Sequence, residues 1–192
     1  MAATNAIPFP QVRWNLNALF SGIDDPKVNQ TWEEVNTAAD TLSSNYKGKI
    51  GQLSEEQFLE AIKAYETLLQ NASKPVTYAN LLFACNSTDP SIGAFLADQS
   101  ERYSQLVVKV LFFDLEVQDL PTELVNKWKS SSVLAPYRHY LEVAEAHKLH
   151  KLSEPEEVVL EETANTGAGD EIDEAIGAYV RRAYNLFVGD RT

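Results

Sequence analysis

The chain has 192 residues, 44% of them hydrophobic, with 8 Phe, 8 Tyr and 3 Trp. A domain of this size buries roughly 70% of its unfolded surface, so a largely disordered chain is excluded. The formal charge of -12, from 28 acidic and 16 basic residues, repels phosphate, which excludes nucleic acid and anionic membrane as partners.

Residues 1–25 read as an extended arm anchored by Val12, Trp14, Leu16, Leu19 and Phe20. Asp25-Pro26 then supplies a helix cap followed by a first-turn proline. Val28, Trp32, Val35, Ala39, Leu42 and Tyr46 recur at spacings of three and four, which predicts one apolar stripe on a helix. Ser54-Glu55-Glu56-Gln57 is a capping box, and Phe58, Leu59, Ile62, Tyr65, Leu68 and Leu69 follow on one face. Pro75 is expected to open a third helix carrying Tyr78, Leu81, Leu82 and Cys85. Asp89-Pro90 starts a longer one, marked by Ile92, Phe95, Leu106, Val110 and Val117 and ending before Pro121. Helices near 121–130, 135–148 and 153–165 come next. Asp170 caps a last one with the stripe Ile172, Ile176, Tyr179, Val180, Ala183 and Phe187. No long segment alternates with period two. The expectation is an all-α fold, a multi-helix antiparallel bundle with a long helical hairpin and about seven or eight helices.

Chemistry is harder to find. Zinc hydrolysis needs two histidines one helical turn apart with a third ligand, in the pattern His-Glu-x-x-His. His139, His147 and His150 are the only histidines; none precedes a glutamate and none has a partner four residues on. His139 and Glu142 have the spacing of a solvated helix contact. Cys85 sits on an apolar stripe, which predicts a buried core thiol. A single cysteine forms no internal disulfide and suits a reducing compartment. No apolar run has the length of a membrane span, and Met1–Pro10 lacks a secretory pattern, so the expected location is cytoplasmic. From the residues alone, no catalytic, cofactor-binding or metal-binding residue is assigned.

A set of segments does resemble one family. Arg13-Trp14-Asn15-Leu16-Asn17-Ala18-Leu19-Phe20, followed by Asp25-Pro26, is similar to the start of oligoendopeptidase F and its relatives. Tyr46-Lys47-Gly48-Lys49-Ile50, Tyr78-Ala79-Asn80-Leu81-Leu82-Phe83 and Leu111-Phe112-Phe113-Asp114-Leu115-Glu116 continue the likeness. Leu134-Ala135-Pro136-Tyr137-Arg138-His139-Tyr140-Leu141 and Leu152-Ser153-Glu154-Pro155-Glu156-Glu157 complete it. In order and spacing they span residues 12–167. The resemblance implies the helical N-terminal region of thermolysin-like zinc endopeptidases, which cut short peptides inside a closed helical cavity. Their zinc-binding helix and glutamate ligand have no counterpart in these 192 residues.

Three parts are therefore expected: an arm over 1–25, an oligoendopeptidase F-like helical domain over 26–167, and a divergent C-terminal helix over 168–192. The isolated chain is read as catalytically incomplete, with no cofactor of its own and zinc confined to the full-length family. Its implied partners are a catalytic peptidase half or short peptides, and no oligomeric state is fixed. Tyr137, Arg138 and His139, beside Pro136, are the candidates for peptide contact on the inner wall. The other reading is a stand-alone, non-enzymatic helical module that binds a protein or peptide, for which the last helix offers an apolar stripe.

Overall fold

A computed structural model describes residues 15–148. Helices α1 (Pro26–Tyr46), α2 (Glu55–Cys85), α3 (Pro90–Val110), α4 (Phe112–Gln118), α5 (Thr122–Ser130) and α6 (Arg138–His147) follow in order. Short 3-10 helices stand at Ile50–Gln52 and Ala135–Tyr137. No strand occurs among the described residues, so the fold is all-α. Six α-helices are found there, where seven or eight are expected for the whole chain. Those near 153–165 and after Asp170 lie outside the described residues, as do Val12 and Trp14 of the arm.

Helix starts follow the local chemistry closely. Asp25 caps α1: its carboxylate accepts the Lys27 N–H at 2.9 Å and the Ser21 N–H and hydroxyl, both at 2.8 Å. These donors bind the charged form and hold its carboxyl below the usual value of 3.8. Asp89 does the same for α3, accepting the Ser91 N–H at 2.9 Å and the Ser91 hydroxyl at 2.7 Å. At α2 the capping box closes reciprocally. Gln57 N–H donates to the Ser54 hydroxyl at 3.2 Å, and Ser54 N–H donates to the Gln57 side chain at 2.9 Å.

Two helix boundaries differ from expectation. Pro75 does not open a helix; it lies inside the 31-residue α2 and is fully buried. The apolar stripe passes through it from Ala72 to Tyr78 and Ala79, all buried, so packing outweighs the lost N–H. The expected long helix from Pro90 instead divides at Leu111 into α3 and α4. Directly after the division, Phe112 and Phe113 are both buried. Adjacent residues point about 100° apart on a straight helix, and the break lets both rings reach the interior.

The described residues form two compact units, 15–42 with 60–103 and 43–59 with 104–148. In the first, α2 and α3 make the expected helical hairpin across a four-residue turn, 86–89. The Phe20 ring meets Tyr78 edge-on at 5.3 Å, and Tyr78 meets Phe95 edge-on at 6.2 Å. The one buried amide of this unit, Gln99, is satisfied at both ends. Its carbonyl accepts the Trp32 indole N–H at 2.8 Å and its nitrogen donates to Asp98 at 2.7 Å.

In the second unit, Phe58 stacks on Trp128 with centroids 4.2 Å apart and lies near-parallel to Phe113 at 6.3 Å. All three are at most 1% exposed. Helix α6 is tied down by Tyr140, which donates to Asp114 at 2.7 Å, and by the Lys129–Glu145 ion pair at 2.6 Å. Glu116 holds the turn after α1: it accepts the N–H of Gly48 at 2.6 Å and of Ile50 at 3.3 Å. Gly48 has φ +76, where a side chain would be strained.

Replacing Trp128→Ala or Phe58→Ala is expected to cost about 3–5 kcal/mol, the range for deleting a buried aromatic, read from the urea midpoint. A loss below about 1 kcal/mol would contradict the central place given to this stack. For Asp25 the sign runs from its lowered native value. The cap's stabilisation is complete above 3.8 and is lost as pH falls through the native value. Asp25→Ala should therefore be less stable than the wild type at neutral pH, and the two should converge in acid. A gap that stayed constant down to acid unfolding would refute the charged cap.

Candidate functional site

Tyr137, Arg138 and His139 stand together where the second 3-10 helix passes into α6. Tyr137 is half-buried, whereas Arg138 and His139 are exposed. The Arg138 Nε donates to the Lys129 carbonyl at 2.8 Å, satisfying one of the last carbonyls of α5. His139 Nδ1 lies 3.7 Å from Glu142, with 88% of the side chain exposed. That is the solvated contact expected from their spacing. Tyr137 N–H donates to the Leu134 carbonyl at 2.9 Å, so Tyr137 and Arg138 both serve the fold, while the His139 ring is open to solvent.

A hydrolytic zinc needs at least three converging donor side chains. No three of the His, Cys, Asp and Glu side chains converge as a metal would require, among the described residues. His147 ends α6 exposed, and His150 lies outside the described residues. Among the described residues the donor set does not fit a hydrolytic zinc.

A different place stands out. Where the arm passes the end of α2 and the start of α3, a cleft of ≈ 1010 Å³ opens in the first unit. Leu16 and Asn17 come from the arm, Tyr78, Leu82 and Asn86 from the end of α2 and the turn after it, and Asp89 and Ile92 from the start of α3. Tyr78 is 2% exposed, and burial, with the charge of Asp25 second, pushes its phenol above 10.0. It stays a neutral hydroxyl that can donate and accept. Among the described residues no hydrogen-bond partner is found for that hydroxyl, and Tyr78 lines the cleft.

Cys85 also lines this cleft and is exposed. This corrects the expectation of a core thiol. The stripe loses its cover after Ala79, since Leu81 and Leu82 are only half-buried, so a position in phase with the stripe is no longer inside. Periodicity alone carries no signal for where a helix outruns its packing. Cys85 should accordingly react with one equivalent of a soluble thiol reagent in the native state. A reaction that waits for denaturant would overturn its placement.

Comparison with known proteins bears on both regions. Residues 116–171 match the family model described as oligopeptidase F. Among solved structures, oligoendopeptidase-F from Enterococcus faecium is similar in fold, with a TM-score of 0.65 and 22% sequence identity. The likeness covers 73% of this chain and 27% of that one, so the chain spans little more than a quarter of the length of that structure. No curated protein matches. The chain resembles the N-terminal portion of oligoendopeptidase F, in sequence over residues 116–171 and in fold over most of its length.

Proposed function

We propose that these residues form the N-terminal helical part of an oligoendopeptidase F-type zinc endopeptidase acting on short peptides, with the chemistry supplied by a catalytic part that they do not include. The observation that carries this reading is the coincidence of two independent likenesses. A sequence match to the oligopeptidase F family over 116–171 falls in a chain whose fold is similar to an oligoendopeptidase-F. The absence of His-Glu-x-x-His from the 192 residues supports the division of labour. Zinc, when bound in such a catalytic part, supplies the activated water.

On this reading the helices wall a peptide cavity in the cytoplasm. The exposed His139 ring is open to peptide contact, as are the Arg138 nitrogens not spent on Lys129, and Tyr137 stands half-buried beside them. No helix among the described residues is long and apolar enough to cross a membrane, which accords with that location. The competing reading, a stand-alone binding module, differs in what a catalytic partner would do.

The purified chain alone is expected to leave a short quenched peptide uncut. Mixed with a separately produced oligoendopeptidase F catalytic part, it should restore cleavage that a zinc chelator abolishes. Cleavage by the chain alone in protease-free material would sink the proposal, as would a folded catalytic part that gains nothing on mixing.

A further inference from the structure

The cleft at the end of α2 has no role in the reading above. The geometry points to it as a binding site for an extended, uncharged or cationic peptide segment. Its volume of ≈ 1010 Å³ lies at the upper end of the range of small-ligand sites, about 300–1,000 Å³. The lining decides which ligand chemistry fits. Among the described residues that line the cleft, lysine, arginine and histidine are missing, so none of them would neutralise a phosphate or carboxylate. Asp89 accepts from the Ser91 hydroxyl and N–H, which hold its carboxyl below the usual value, so it is a negative charge at the cleft, in a chain of net charge -12. Anions are repelled and cations favoured.

The remaining polar groups are neutral and uncommitted. Tyr78 offers a hydroxyl with no partner among the described residues, from a side chain that is otherwise buried. The Asn86 carbonyl accepts from Thr88 at 3.1 Å, which leaves its two amide N–H donors. The Asn17 side-chain amide likewise has no partner among the described residues. Donors and acceptors of this kind match the alternating C=O and N–H groups of an extended main chain, and Leu16, Leu82 and Ile92 give apolar surface for its side chains. A purely apolar ligand would strand the tyrosine and both amides without partners. This inference stands apart from the proposed function, because it rests on the lining alone and is read by binding rather than cleavage.

The test uses the whole 192-residue chain and a fluorescein-labelled, end-blocked hexapeptide of alternating alanine and leucine carrying one lysine. Anisotropy should show saturable binding, and the peptide should slow alkylation of Cys85 at the cleft's edge. Tyr78→Phe keeps the ring packing and should weaken binding two- to tenfold, the range one hydrogen bond supplies. Asn86→Ala, at an exposed turn position, should weaken it similarly and decides the matter if Tyr78→Phe does not fold. Exchanging the peptide's lysine for glutamate should weaken binding further. The site is overturned by absence of saturable binding, by equal affinity in the folded variants, or by indifference to the glutamate exchange. Failure of the complementation experiment would leave these results untouched.

Discussion

The face-to-face contact of Phe58 with Trp128 sets the conditions under which the second half of this chain can be helical at all. Helices α4, α5 and α6 have 7, 9 and 10 residues. Isolated helices shorter than about 12–15 residues are marginal in water, because the nucleation cost is shared over too few bonds. None of the three carries a side-chain cap at its N-terminus, so local chemistry does not rescue them. Their stability comes from what they bury. Trp128 belongs to α5, Phe113 to α4 and Phe58 to the first turn of α2, and each is almost completely withdrawn from water. The polar ties around this centre then fix direction. Tyr140 on Asp114 and Lys148 on the Leu120 carbonyl at 2.9 Å, both part-buried, orient α6, and each such bond contributes about 1 kcal/mol net.

The first unit solves a different problem, because its helices are long. α1 and α3 have 21 residues each and α2 has 31. Here the cost to be met is that of the polar groups taken inside. The Trp32 indole needs an acceptor once buried, and Gln99 is the amide that provides it. Replacing both by apolar groups could be tolerated, whereas removing one would strand the other. This pairing has no trace in periodicity: Gln99 is a polar residue 67 positions away, on another helix. The apolar stripe of α1 was legible as far as Leu42, with Val28, Trp32, Val35, Ala39 and Leu42 all buried, while Tyr46, expected to continue it, is half-buried. The partner that makes the tryptophan affordable was not.

The same contrast explains the other differences between expectation and structure. Caps are written locally, in residues two or three apart, and Asp25, Ser54 and Asp89 each do what their neighbours demand. Proline is ambiguous locally, since it is suited to a first turn and also tolerated where tertiary burial compensates. At Pro75 the burial of its neighbours resolves the ambiguity, and only the folded chain shows it. The stretch from Leu106 to Val117 is so densely apolar that it holds no phase to read, so the break at Leu111 was invisible. At the candidate residues, the pairing of His139 with Glu142 was legible from an i,i+3 spacing. The bond of Arg138 to Lys129, nine positions back, needed the path of the chain between two helices.

The cleft follows from how α2 ends. Its buried face runs from Phe58 through Tyr65, Ala72 and Ala79, and then the same face continues for another turn and a half without full cover. Leu82 is half-buried and Cys85 exposed. A helix that stopped at Ala79 would leave no such face, and a hairpin closed more tightly would cover it. The chain instead turns back only at 86–89, so the last residues of α2 and the first of α3 form two walls and the arm forms the third. Apolar side chains there would favour cover, since each exposed CH₂ forgoes about 0.8 kcal/mol. The neutral polar groups at the same place restrict which cover is favourable. A hydroxyl on a deeply placed ring and the N–H donors of two side-chain amides accept a main chain more readily than an aliphatic surface, and the acidic surroundings reject anions. Shape, polarity and sign of charge thus converge on one kind of occupant.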